Sequence, residues 1–333
     1  MAWVIMALFG AGLLAAFIGD DDDPVADTEV EPPPPPPPPP GEDFELADGD
    51  SVTGTAGDDS FHAGPDVTLN IGIVAGAGHD SIDVHARVAD IDTGSGDDTI
   101  TLRGTAIEVF GRAGDDTIDG GSQNSLLDGG AGDDAITSDQ FENTLNGGTG
   151  DDTLVADRGH YRTRIEGDEG DDLLMLDMTG PGYQAEQSWA FGGDGDDILR
   201  ADVDLGNDGP GTTADPFLDG GAGADRFEIA MYPETQPDDS ARTFEGTVAF
   251  ISDFDPDEDM LVVDTNTLAA DGTACSLESF VIRPHDANSS LLRIRMENAA
   301  TGKFYSGDII VRGVADLQPE DVIFADLTPI AAA

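Results

Sequence analysis

Gly129-Gly130-Ala131-Gly132-Asp133-Asp134-Ala135-Ile136-Thr137 decides how this chain is read, because its order of glycines, aspartates and one apolar residue recurs along most of the sequence. Nine six-residue loops share it, beginning at Gly54, Ala75, Thr93, Gly111, Gly129, Gly147, Gly167, Gly192 and Gly220. Each ends on an aspartate: Asp59, Asp80, Asp98, Asp116, Asp134, Asp152, Asp172, Asp197 and Asp225. Two residues beyond comes Phe61, Ile82, Ile100, Ile118, Ile136, Leu154, Leu174, Leu199 or Phe227. Two residues before each loop stands Val52, Ile73, Ile91, Val109, Leu127, Leu145, Ile165, Ala190 or Leu218. Successive loops start 21, 18, 18, 18, 18, 20, 25 and 28 residues apart, so the unit is twice a nonapeptide, with one glycine-rich turn and one plain turn.

A strand alternates its faces with period two, so each apolar column marks a short strand with one side chain turned inward. One coil is then glycine-rich turn, strand, plain turn, strand, and stacked coils make an all-β solenoid with a thin shared core. Two large apolar side chains per coil are too few to offset the entropy of ordering its backbone. Something other than the core must tie the coils together.

The loops resemble the glycine- and aspartate-rich nonapeptide of the RTX (repeats-in-toxin, haemolysin-type) calcium-binding family, over roughly residues 50–230. The resemblance implies a right-handed parallel β-roll or β-helix with its calcium turns on one edge. It implies an ion between each pair of stacked loops, up to about eight ions for nine loops. Calcium takes six to eight oxygen ligands. The sixth-position aspartates named above supply carboxylates, and the fourth-position glycines Gly78, Gly96, Gly114, Gly132, Gly150, Gly170 and Gly195 let the turn expose backbone carbonyls. Without an ion, neighbouring loop carboxylates repel. Thr55, Ala75, Thr93, Arg112 and Asp168 each replace a glycine, and Ala224 a fifth-position acid, so the first, second and last loops are expected to bind more weakly.

Composition agrees with a cation-binding surface. Lys and Arg number 14 against 69 Asp and Glu, a net charge of −55, and Lys303 is the sole lysine. Nucleic acid and anionic membrane surfaces are poor partners for such a polyanion. One cysteine, Cys275, excludes an intrachain disulfide and reads as a small buried hydrophobe.

Residues 1–19 hold an uncharged apolar run from Ala2 to Gly19, predicted as a helix just long enough to span a bilayer. It is either a membrane anchor or an export signal, with neither a basic n-region nor a clear cleavage site to decide. Residues 20–48 are an acidic and polyproline linker, with Pro32 to Pro40 forming a polyproline II spacer. Residues 49–228 are the repeat domain, and 229–333 a β-rich cap that covers the open end. The cap's end, from Asp326 to Ala333, is a candidate export signal, as RTX proteins commonly carry one there. Asp253, Asp255, Asp257 and Asp259 alternate as in a calcium loop, but lack the glycine and distal glutamate of an EF-hand, and form a candidate extra metal site.

No H-E-x-x-H or G-x-S-x-G motif occurs, and the five histidines are scattered. With the resemblance, this favours a calcium-dependent extracellular or cell-surface structural protein over an enzyme. A second reading places a glycan or surface partner on the plain edge, where insertions after Leu174 and Leu199 bring Tyr183 and Trp189, residues that can stack on a sugar. The competing assignment for Trp189 is to cap a widened core together with Phe191.

Overall fold

The computed structural model describes residues 39–63, 69–157, 162–179, 187–205, 215–233, 245–264, 274–298, 302 and 304–325. The chain divides into Met1–Pro37 and Pro38–Ala333, and every described strand belongs to the second unit. The apolar segment of residues 1–19, with the helix expected there, lies outside the described residues, as do Tyr183 and residues 326–333. Among the described residues there are 24 strands, one short 3-10 turn at Pro319–Asp321, and no helix long and apolar enough to cross a membrane.

The strands fall into two parallel columns. Strands that follow the aspartates pair in order, Ser60–Ala63 with Ser81–Ser95, then Thr99–Thr105, Thr117–Gln123, Ala135–Ser138, Thr153–Ala156, Leu173–Met178, Ile198–Leu205 and Arg226–Pro233. Strands that precede the loops pair likewise, from Ser51–Thr53 through Leu126–Ala131 to Phe217–Ala222. Ser81–Ser95 runs through the plain turn and serves both columns.

Register matches like with like. Ile118, Ile136 and Leu154 face one another in the first column, and Val109, Leu127 and Leu145 in the second. All six are fully buried, and both columns stay buried throughout except at Val52, which is partly covered at the start. Cys275 also sits in the core. Alternation sends the neighbours outward, so period two positions every loop aspartate one step before its strand on the same edge.

Both ends extend the stack. Asp43–Leu46, read from sequence as the end of the linker, is a strand paired with Ser60–Ala63, and Phe44 stacks on Phe61 with ring centroids 4.8 Å apart. At the other end Glu245–Ile251 and Met260–Asp264 continue the two columns, and Phe304–Arg312 and Val322–Ala325 add one more layer to each. An antiparallel sheet, Cys275–Asp286 with Ser289–Asn298 and Phe304–Arg312, adjoins this end.

Trp189 and Phe191 do not cap the core. Ala190 between them is the core residue, and alternation puts both rings on the outer face, half-buried. Phe191 lies under the Arg164 guanidinium, 4.0 Å from its ring centroid, and 5.9 Å from Phe217.

Candidate metal centre

The sixth-position aspartates form one continuous hydrogen-bonded column. The N–H of Asp59 donates to Asp80 Oδ1, that of Asp80 to Asp98, Asp98 to Asp116, Asp116 to Asp134, and Asp134 to Asp152, each at 2.7 Å. Asp152, Asp172 and Asp197 continue it to Asp172, Asp197 and Asp225 at 2.8–3.0 Å. Each carboxylate is thus pinned by one oxygen to the coil before it and drawn almost wholly out of solvent.

The other oxygen is left over. Oδ2 of Asp80, Asp98, Asp116, Asp134, Asp152, Asp172 and Asp197 is buried with no hydrogen-bond donor. An unpartnered buried carboxylate oxygen is costly. Burial accordingly pushes the carboxyl pKa of Asp116, Asp134, Asp152 and Asp197 to about 7 and of Asp80, Asp172 and Asp225 to about 6, with the neighbouring aspartates adding repulsion.

What faces these oxygens is backbone. A Cβ built on Gly111 would crowd both Asp116 Oδ2 and the Gly129 carbonyl oxygen; Gly167 and Gly192 repeat this with Asp172 and Gly192 O, and with Asp197 and Gly220 O. The glycine therefore keeps clear a cradle lined by a carboxylate oxygen of one loop and a carbonyl oxygen of the next. The fourth-position glycines Gly78, Gly96, Gly114, Gly132, Gly150, Gly170 and Gly195 all have positive φ and stack so closely that a Cβ would strike the preceding turn's backbone. This donor set of hard oxygens, with one open anionic position, fits a calcium ion. No cluster of three or more His, Cys, Asp or Glu side chains placed to hold a metal occurs among the described residues. At Gly111, Gly167 and Gly192 the cradle instead brings one aspartate side chain to a carbonyl of the next loop.

The fifth-position acids make a second, exposed column of opposite polarity. Asp115, Asp133, Asp151, Asp171 and Asp196 donate their N–H back to Oδ1 of Asp97, Asp115, Asp133, Asp151 and Asp171. His79 replaces the acid in the second loop, and its Nδ1 accepts from Asp97 N at 2.9 Å.

The first loop differs. Asp59 Oδ2 accepts from Thr55 N at 2.6 Å, and Oδ1 from Glu42 N at 2.6 Å and Thr55 Oγ1 at 3.1 Å, so its carboxylate is already satisfied. The alternating acids near the far end do not converge on one point. Asp253 accepts from Gly220 N and Gly221 N, Asp259 from Asp225 N and Asp255 N, and Asp255 from Asp257 N, while Asp257 itself lies on an exposed turn. Asp259 instead acts as a tenth rung, two residues before the core residue Leu261. That spacing was visible in sequence. The sealing role of Thr55 was not, because it replaces a glycine and reads only as a departure.

The comparisons accord with this geometry. The family model for the RTX calcium-binding nonapeptide repeat matches four copies, over residues 46–66, 110–145 and 129–161. No curated protein matches the chain. Over residues 46–66 and 110–161 the chain matches the RTX calcium-binding nonapeptide repeat.

Proposed function

We propose that this is an extracellular or cell-surface β-roll whose coils are assembled by calcium and whose role is structural or one of interaction. The observation that carries it is the column of buried, donorless Oδ2 atoms from Asp80 to Asp197. When bound, calcium would supply the positive charge those oxygens lack and oppose repulsion along the column. Asp116, Asp134, Asp152, Asp172, Asp197 and Asp225 would hold the ions with carbonyls of the adjoining turns, Asp59, Asp80 and Asp98 contributing less. The scarcity of calcium in a cytosol and its abundance outside would let such a chain fold after export. Circular dichroism during a Ca2+ titration, with chelator reversal, tests this: strand signal should rise with calcium and fall on its removal. An unchanged spectrum would contradict it.

In the same reading, residues 1–19 anchor or export the chain, 20–48 space it from a surface, 49–228 form the roll and 229–333 the cap. The outward rings of Trp189, Phe191 and Phe217 favour a second reading, in which this face meets a glycan or a surface partner. Glycan-array binding abolished by Trp189→Ala with the strand signal intact would support it.

A further inference from the structure

We propose that the first three interfaces of the loop stack are closed by side chains instead of metal, and that Thr93 in particular stands in for an ion. The proposal rests on the calcium reading and specifies where along the column that reading applies. In the loops starting at Gly111, Gly129, Gly147, Gly167 and Gly192, the first position carries no side chain, and Oδ2 of the loop's own aspartate approaches to within 2.1–2.3 Å of where a Cβ would stand. The two loops before them are different. Register aligns Val74 with Asp92 and Phe110, and Gly76 with Gly94 and Arg112, so Ala75 and Thr93 occupy the column that Gly111 continues. Both are fully buried. Their side chains stand where, from Gly111 onward, the aspartate oxygen closes on a bare glycine.

Thr93 does more than fill it. Its Oγ1 donates to the Gly111 carbonyl oxygen at 2.8 Å, the oxygen equivalent to those that line the later cradles. A hydroxyl proton on that carbonyl ties one coil to the next and competes with a cation for the same lone pairs. Ala75 blocks its own cradle with a methyl group and offers nothing in exchange. At the first interface Gly54 carries no side chain, but Thr55 has taken both oxygens of Asp59. Three successive interfaces are thus obstructed in three ways.

Nine loops have eight interfaces between them, and removing three leaves about five for calcium, from Asp116 to Asp197. Native mass spectrometry of the full chain at saturating Ca2+, with calorimetry for stoichiometry, counts them. Wild type should hold about five ions. Thr93→Gly should gain one, and Ala75→Gly should also gain one if the Thr93 variant folds poorly. Gly129→Thr, placing the same side chain beside Asp134, should lose one. A wild-type count near eight, or Thr93→Gly with an unchanged or reduced count, overturns the proposal while leaving calcium binding intact. A count of zero overturns the calcium reading itself, which a count of five or eight does not.

Discussion

The two turns of each coil solve the same problem with different chemistry. On the plain edge, as on the aspartate edge, a side chain of one coil accepts a backbone N–H from the coil before: Ile107 N donates to Ser125 Oγ, Ser125 N to Asn143 Oδ1, and Thr163 N to Ser188 Oγ. These acceptors are neutral and carry protons of their own. Asn143 Nδ2 gives its hydrogens to Ser122 O and Ser138 Oγ, both at 2.6 Å, and Ser122 Oγ bonds Ser125 Oγ at 3.0 Å. A carboxylate has no proton to give, so on the other edge the ladder ends in open oxygens. One edge closes on itself; the other requires a cation from outside.

Removing calcium is the strongest way to break this comparison. Dialysis against chelator should abolish most of the strand signal, although the plain-edge bonds remain chemically available. Persistence of the signal would mean that the aspartate edge, too, is self-sufficient.

Acid should sharpen the contrast in the calcium-free protein. The Asp116, Asp134, Asp152 and Asp197 carboxyls are raised to about 7 from an ordinary 3.8, chiefly by burial. A raised folded-state pKa contributes stability that is fully present below 3.8 and is lost as pH rises through about 7. Calcium-free protein should therefore show more strand signal near the acid end of that window than above it. Calcium should restore the signal on the alkaline side, and an apo signal that grows with pH would refute the assignment.

Single substitutions separate the edges further. Asp134→Ala should raise the calcium midpoint by about tenfold, the equivalent of about 1.4 kcal/mol, since it removes one ligand and one charged rung. Asn143→Ala should cost about 1–3 kcal/mol of stability in urea with calcium present, and leave the calcium midpoint nearly where it was. Asp59→Ala, whose carboxylate is served by Thr55 and Glu42 N, should move that midpoint by less than about twofold. Equal shifts for Asp59 and Asp134 in calcium-titrated circular dichroism would show that the end and middle of the column do not differ.

The repeat itself was legible because each constraint on it is local and periodic. The columns at Ile118, Ile136 and Leu154 and at Val109, Leu127 and Leu145 followed from spacing alone, and all are core. The fourth-position glycines were likewise legible, since only glycine combines positive φ with such close stacking. What stayed hidden depends on a neighbour in the next coil. Thr55, Thr93 and Ala75 look like three equivalent losses of glycine in sequence, whereas their contacts differ in kind. Asp43–Leu46 gave no repeat signal because Pro39, Pro40 and Gly41 precede it in place of the glycine loop. The plain edge carries no motif, because serine and asparagine are interchangeable as rungs there.

The opposed directions of the two aspartate columns have one more consequence. Asp133 N donates backward to Asp115, and Asp134 N, the very next amide, donates forward to Asp152. Each coil whose fifth and sixth residues are both aspartate therefore offers its neighbours the same pair of sockets and plugs. Excising or duplicating one 18-residue unit between Gly111 and Gly147 would rejoin identical fittings. The number of turns can drift in evolution without any junction having to be redesigned.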